Sequence, residues 1–129
     1  MCTIASDGAE IRSLKNKATG EEYIWQINPS VWGSSSPVLF PSIGKIKEDK
    51  VIYDGKEYAM PKHGIIRNNK SLSFQKYSAS TCAFTLESSP ETLRQYPFQF
   101  SFSVAYTLIS NRLLMTYTIE NRDKVPMSF

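Results

Sequence analysis

The segment FQFSFSVAYTL, residues 98–108, constrains the fold more than any other part of the chain. Aromatic and aliphatic side chains occupy every second position, and small or polar side chains stand between them. Successive side chains of a β-strand point to opposite faces of the sheet, so this period of two predicts a long strand with one buried face. The segment RLLMTYTIE, residues 112–120, repeats the alternation less regularly. A turn at 109–111 would make the two strands antiparallel neighbours.

Shorter strand signals fill most of the remaining chain. Asp54 and Gly55 separate two β-prone runs in VIYDGKEYAM, which predicts a hairpin because glycine tolerates positive φ. We predict a second strand pair from SLSFQKYS and CAFTLES, and a third from AEIRSL and EEYIW across the turn KNKATG. Together these signals predict an all-β chain of roughly seven or eight strands, arranged as an antiparallel β-sandwich.

Two segments depart from the strand pattern. SSPETLRQYP begins like a helix, with Ser89 as its cap and Pro90 in the first position, but Pro97 limits it to a turn or two. WGSSSPVLFPSIGK, residues 32–45, mixes turn-forming residues with large apolar side chains. We expect an ordered loop that packs across the sheet. Its aromatic side chains could stack on a sugar ring, although burial in the core is the simpler explanation.

The composition predicts a single folded domain. The chain has 129 residues, of which 41% are hydrophobic and 21% charged, which is typical of a globular protein and not of a disordered one. The net charge of +3 is spread over the sequence without a block of like charges. A nucleic-acid partner is therefore not expected.

No metal site, cofactor or membrane association is predicted. Cys2 and Cys82 lack the CxxC spacing, and one histidine cannot complete a metal set, so both are interpreted as buried or incidental thiols. The start of the sequence has neither the basic region nor the apolar run of a signal peptide. No apolar stretch approaches the roughly 20 residues of a membrane helix. We predict a cytoplasmic location.

Five segments, in this order along nearly the whole chain, resemble aldose 1-epimerases of the galactose mutarotase superfamily, and most closely the bacterial branch often called LacX-like. They are GAEIRSLKNKATGEEYIW, SPVLFPSIGK, YDGKEYAMPKHGIIR, YPFQFSFSVAYTL and LLMTYTIENRDKVPMSF. The resemblance implies a large antiparallel β-supersandwich. It also implies that residues 1–129 are the N-terminal portion of one such domain, shortened at both ends.

The resemblance implies a reaction that interconverts the α and β anomers of a hexose or hexose phosphate. In the family, a carboxylate base takes the proton of the anomeric hydroxyl while a histidine acid protonates the ring oxygen. The ring opens, and reclosure on either face of the carbonyl gives either anomer. Imidazole suits such acid–base chemistry because its ordinary pKa lies near 6.5.

Site residues follow from the motif HGIIR, which resembles the family's HGFAR. His63 matches the first of two active-site histidines, which contacts sugar hydroxyls and helps to polarise the ring, and Gly64 would let the backbone approach the ligand. Arg67 either binds substrate or braces the loop. Lys45 stands where relatives carry a sugar-binding arginine. This is a departure, because lysine keeps the charge but lacks the planar fork that can hold two hydroxyls.

The general acid and the general base are both expected outside this sequence. In relatives the acid belongs to a GxHPxF segment that would follow ENRDKVPMSF, and the carboxylate base lies nearer the C-terminus. The resemblance therefore predicts a fragment that is inactive alone, with uncovered strand edges and an apolar face that favour self-association. Two alternatives stay open, a non-catalytic carbohydrate-binding β-module and an interaction or structural β-domain without a sugar site.

Overall fold

The computed structural model describes residues 1–129 and contains eight β-strands, three short 3₁₀ segments and no α-helix. None of its helical segments has the length and apolar character needed to cross a membrane. The 3₁₀ segments are Asp7–Ala9, Lys47–Asp49 and Thr92–Arg94. The strands are β1 (Cys2–Ile4), β2 (Ile11–Leu14), β3 (Lys50–Tyr53), β4 (Lys56–Ala59), β5 (Ser73–Lys76), β6 (Thr81–Glu87), β7 (Phe100–Ile109) and β8 (Arg112–Asn121).

The largest sheet contains four antiparallel strands in the order β5-β6-β7-β8. Its longest hairpin joins β7 to β8 with Ile109 opposite Arg112, so Ser110 and Asn111 form the turn. The even-numbered side chains of β7 are buried from Phe100 to Tyr106, as the period of two predicts. The hairpin prediction for residues 98–120 is therefore confirmed.

Two of the three shorter strand pairs are also confirmed, since β3 pairs with β4 and β5 pairs with β6. The prediction for the N-terminal pair is confirmed only in part, because the two segments meet in a single antiparallel bridge and not in a strand pair. Strand β2 pairs with β1, and the segment EEYIW contributes only one bridge, between Lys15 and Glu22. The Glu22 carboxylate accepts hydrogen bonds from the backbone N–H groups of Leu14 at 2.8 Å and Ile24 at 3.0 Å. The Glu22 side chain thus takes the Leu14 N–H, a donor that a continued ladder would have used.

The predicted short helix is a single 3₁₀ turn at Thr92–Arg94. The Ser89 hydroxyl accepts a hydrogen bond from the Thr92 backbone N–H at 3.3 Å, and the Thr92 hydroxyl accepts one from the Ser89 backbone N–H at 2.8 Å. This reciprocal arrangement is that of a capping box, with threonine in the place of glutamate.

The core lies against the buried face of the large sheet and draws heavily on segments outside the strands. The prediction that the loop 32–45 packs across the sheet holds for Val38 and Phe40, which are buried, but not for Trp32 or Ile43, which are exposed. The Phe40 ring lies 5.1 Å from the ring of Phe102 between centroids. The fifteen core residues are Ala9, Ile11, Val38, Phe40, Met60, Ile65, Ile66, Phe84, Leu86, Tyr96, Phe98, Phe100, Phe102, Val104 and Tyr106.

Candidate functional site

The candidate site is built on the segment that follows β4. Strand β4 ends at Ala59, and beyond it His63 and Gly64 both adopt positive φ, at 71° and 78°. The Gly64 N–H donates to the Pro61 carbonyl at 2.9 Å, which closes the turn. A histidine in the left-handed region is uncommon and persists where surrounding contacts hold it. The sequence therefore presents His63 at the tip of a tight, constrained turn.

A reciprocal pair of hydrogen bonds connects His63 to Gly44. The His63 backbone N–H donates to the Gly44 carbonyl at 2.8 Å, and the Gly44 N–H donates to Nδ1 of the imidazole at 3.0 Å. A ring nitrogen that accepts a hydrogen bond carries no proton, so the proton of the neutral ring lies on Nε2. The turn thus orients the imidazole with Nε2 as a hydrogen-bond donor.

The charge state of His63 follows from its surroundings. Partial burial, followed by the positive charges of Arg67 and Lys62, lowers the pKa of His63 below its ordinary value of 6.5. Both charged groups that act on the ring are cations, so no carboxylate of this chain stabilises the imidazolium. The neutral form therefore predominates at neutral pH, in agreement with the hydrogen bond that Nδ1 accepts.

This lowered pKa predicts how the stability of the chain depends on pH. The unfolded chain binds a proton at the imidazole more strongly than the folded chain, so the contribution of His63 is complete above pH 6.5 and is lost as the pH falls through the lower folded pKa. We expect an NMR titration of the ring to give a pKa below 6.5. The urea midpoint should also fall between about pH 7.5 and about pH 5.5.

His63→Asn is the matched control for this prediction, because asparagine tolerates positive φ and does not titrate. It should remove the part of the pH dependence that belongs to His63. A ring pKa above 6.5, or an unchanged pH dependence in the variant, would contradict the assignment.

Gly64 is required by a close contact between two backbone segments. Its backbone forms a parallel bridge with Phe40, and the next residue, Ile65, donates its N–H to the Phe40 carbonyl at 2.7 Å. A Cβ atom on Gly64 would lie 2.0 Å from the Phe40 carbonyl oxygen. From the sequence, we expect the missing side chain of Gly64 to make room for a ligand. The structure supplies a different reason, which is room for the loop that carries Gly44.

Lys45 follows Gly44 directly and is largely exposed. Its ammonium group lies 3.5 Å from the Asp49 carboxylate, a separation typical of a weak surface pair. Lys45, Asp49, Lys62 and Gln95 contribute to the lining of a cavity of about 500 Å³, but His63 does not line it. The backbone of Gly44 thus connects the chain next to Lys45 with His63, while the Lys45 side chain lines a cavity that His63 does not.

Arg67 braces the serine-rich loop. Its Nη2 donates to the Ser34 hydroxyl at 3.1 Å, and its Nε is buried without a hydrogen-bond partner. The hydrogen bond to Ser34 shows that Arg67 supports the loop, and its role in substrate binding stays a prediction. The positive charge also acts on His63, as the lowered pKa records.

Glu10 is an important polar residue that the sequence analysis missed. Only 3% of it is exposed, and its carboxylate accepts hydrogen bonds from the backbone N–H groups of Ser35 at 2.5 Å and Ser36 at 2.9 Å. Arg12 completes its environment with an ion pair at 2.8 Å. Glu10 and Arg67 together fix the loop that precedes Phe40. The only available signal was an acidic residue between Ala9 and Ile11, in an otherwise apolar run.

The remaining reactive groups lie apart from this turn. Cys2 and Cys82 are free thiols, and burial raises the pKa of both. Raised pKa values disfavour the nucleophilic thiolate. No group of three or more His, Cys, Asp or Glu side chains is arranged to hold a metal ion.

Comparison with known proteins places this geometry in a family. The family profile described as aldose 1-epimerase matches residues 1–129. The plasmid-encoded protein LacX of Lactococcus lactis subsp. lactis is 29% identical over 119 residues, which are 88% of this chain and 39% of the relative. The chain therefore spans about two fifths of the length of that relative.

Solved structures give the same result. The galactose mutarotase related enzyme of Lactobacillus acidophilus is 38% identical, with a TM-score of 0.92 over 98% of this chain and 42% of that protein. A galactose mutarotase-like protein from Lactobacillus casei ATCC 334 is 37% identical, with a TM-score of 0.91 over the same shares. These similarities confirm the all-β, galactose mutarotase-like fold. The chain belongs to the aldose 1-epimerase family.

Proposed function

We propose that residues 1–129 form the N-terminal portion of a mutarotase domain and supply part of the sugar site of an aldose 1-epimerase. The reaction would be the interconversion of the α and β anomers of a hexose or hexose phosphate. The observation that carries the proposal is the reciprocal pair between Gly44 and His63. It fixes Nε2 as a donor for a sugar oxygen.

In this proposal, His63 binds and polarises the substrate, and Lys45, which follows the Gly44 partner of His63 in the chain, offers a cation on the neighbouring surface. Neither residue completes the chemistry, because no carboxylate acts on the imidazole of His63. Transfer of a proton to one oxygen and from another needs two further groups within hydrogen-bond reach. We propose that both come from the part of the family fold beyond the two fifths that this chain spans.

The test follows anomer exchange of freshly dissolved α-glucose, α-galactose and α-glucose 6-phosphate by polarimetry, with this chain and with a version extended past Phe129. We expect the extended version to accelerate exchange and the 129-residue chain to leave it at the buffer rate. In the extended version, His63→Asn should lower kcat/KM by a factor of about 10² to 10³, the usual cost of losing one donor that stabilises developing charge. Lys56→Met is the control because Lys56 is an exposed lysine on β4, outside the candidate site.

One result would favour the second candidate function, that of a non-catalytic carbohydrate-binding module. Sugar would then shift the NMR signals of the His63 ring, while the extended chain left anomer exchange at the buffer rate. Acceleration by the 129-residue chain alone, abolished by His63→Asn, would contradict the division of the site.

A further inference from the structure

Cys2 and Cys82 are far apart in the sequence, but both face the core of the fold. Cys2 belongs to β1 and Cys82 to β6, which lie in two different sheets, and both side chains pack against the core cluster. Side chains alternate between the two faces of a strand. Thr3, next to Cys2, is exposed, and Phe84, two positions after Cys82, is buried. The two strands therefore turn their thiols inward.

Both cysteines line a single cavity of about 90 Å³, together with Ile4, Tyr106 and other mostly apolar residues. Tyr106 stands opposite Cys82 in the pairing of β6 with β7, and its hydroxyl donates to the Ala9 carbonyl at 2.5 Å. Ala9 lies in the short segment between β1 and β2. This hydrogen bond therefore fastens the β1–β2 pair to the large sheet close to the two cysteines.

The charge of one thiol also acts on the other. Burial is the largest cause of the raised pKa of Cys2, and the charge of Cys82 is the next. Burial likewise raises the pKa of Tyr106, with further contributions from Tyr117 and from both cysteines. Like charges raise an acidic pKa when they lie close together. The two thiols and the Tyr106 hydroxyl therefore form one cluster.

The cavity gives the two sulfur atoms room to approach each other. A disulfide places its sulfur atoms about 2.05 Å apart, so the thiol side chains must rotate toward each other when the bond forms. In a closely packed core such a rotation would displace neighbouring atoms. Here both side chains border the same cavity, so they can rotate into it, and the bridge would fill part of its volume.

We propose that Cys2 and Cys82 form a reversible disulfide, which ties β1 to β6, when the protein meets a peroxide. Every group that forms this modification site belongs to the 129 residues of this chain. The proposal does not depend on the sugar site.

The reaction consumes one peroxide in two steps. One thiolate attacks an oxygen of hydrogen peroxide, and the O–O bond breaks to give a sulfenic acid and hydroxide. The second thiolate attacks the sulfenic sulfur, so the S–S bond forms as the S–O bond breaks and a second hydroxide leaves. The two hydroxides take up the two thiol protons as water, and the two electrons lost by sulfur reduce the peroxide. Because only thiolates react and burial raises both pKa values, the rate should rise from about pH 7 to about pH 9.

The first test maps the bond by mass spectrometry. The 129-residue chain and a version extended past Phe129 are treated with hydrogen peroxide at low protein concentration and digested with trypsin without a reductant. The tryptic peptides 1–12 and 77–94 contain Cys2 and Cys82. In both proteins, we expect these peptides to be joined at the sum of their masses less two hydrogen atoms. Treatment with dithiothreitol should separate them.

The matched control moves the first thiol to the opposite face of β1 by combining Cys2→Ser with Thr3→Cys. The chain between the two thiols is only one residue shorter, but the side chain at position 3 is exposed. The yield of joined peptides should fall by about tenfold or more, because the thiol vectors then point apart.

The second test measures how strongly the fold favours the bond. Equilibration with reduced and oxidised glutathione gives the effective concentration of one thiol at the other, in buffer and in about 8 M urea. We expect the value in buffer to be higher by about tenfold or more, because a disulfide that fits the native state stabilises it. The oxidised chain should correspondingly unfold at a urea concentration about 1 M higher than the reduced chain.

Either of two results overturns the proposal. The first is a pair of peptides that stay separate in either protein, or that join equally well in the control variant. The second is an effective concentration no higher in buffer than in urea, which would show that the fold keeps the two thiols apart. Circular dichroism of each protein confirms that it remains folded.

Discussion

Replacing Gly64 with alanine is expected to cost about 3–5 kcal/mol of unfolding free energy, a large share of what a small domain possesses. The φ of 78° accounts for about 1 kcal/mol, because a Cβ is disfavoured in the left-handed region. The rest comes from the Phe40 carbonyl oxygen, which would stand 2.0 Å from the new Cβ. That obstacle is backbone, so it cannot rotate away as a side chain would. Urea unfolding followed by circular dichroism measures the loss.

Gly55→Ala separates the two causes. Gly55 has a nearly equal φ of 73°, and a Cβ there would meet no atom within 4 Å. We expect this variant to lose only about 1 kcal/mol. Equal losses in the two variants would show that the contact between Gly64 and Phe40 is not what requires glycine.

The sheet could be predicted from the sequence because its determinants are local. The alternation of apolar and polar side chains in residues 98–108 indicates which face of the strand is buried. The two-residue turn at Ser110 and Asn111 then fixes the register of the hairpin. The N-terminal pairing could not be predicted in this way. β1 and EEYIW lie on opposite edges of β2, and the pairing with EEYIW is limited to one bridge because the Glu22 carboxylate takes the Leu14 N–H, which strand propensity does not report.

The candidate site, too, could be predicted from the sequence only in part. The motif that contains His63 could be found by resemblance, and the loop 32–45 could be expected to pack down from its apolar side chains. The contact that joins them, between Phe40 and Gly64, links residues 24 positions apart in a parallel bridge without a strand on either side. Glu10 was missed because acidic residues are usually exposed, and its burial is stabilised by Ser35 and Ser36, far along the chain.

Phe40→Ala is expected to be the second strongly destabilising change. The Phe40 ring is 2% exposed, and its centroid lies 5.5 Å from the ring of Tyr96 and 5.6 Å from that of Phe100. Truncation of a buried phenylalanine removes its transfer free energy and leaves a cavity, at a cost of about 3–5 kcal/mol. Phe74→Ala on β5 is the matched control, because Phe74 is 59% exposed and should lose less than about 1 kcal/mol.

Phe40→Ala should also change the candidate site, which an ordinary core mutation would not do. Phe40 anchors the loop that brings Gly44 to Nδ1 of His63, so a loosened loop should weaken that hydrogen bond and expose the imidazole. Both effects favour the protonated ring, and an NMR titration of folded Phe40→Ala should move the pKa of His63 up toward 6.5. Phe74→Ala should leave it in place. If Phe40→Ala loses stability while the pKa of His63 does not move, the loop is held against the turn by Gly64 and its backbone contacts alone.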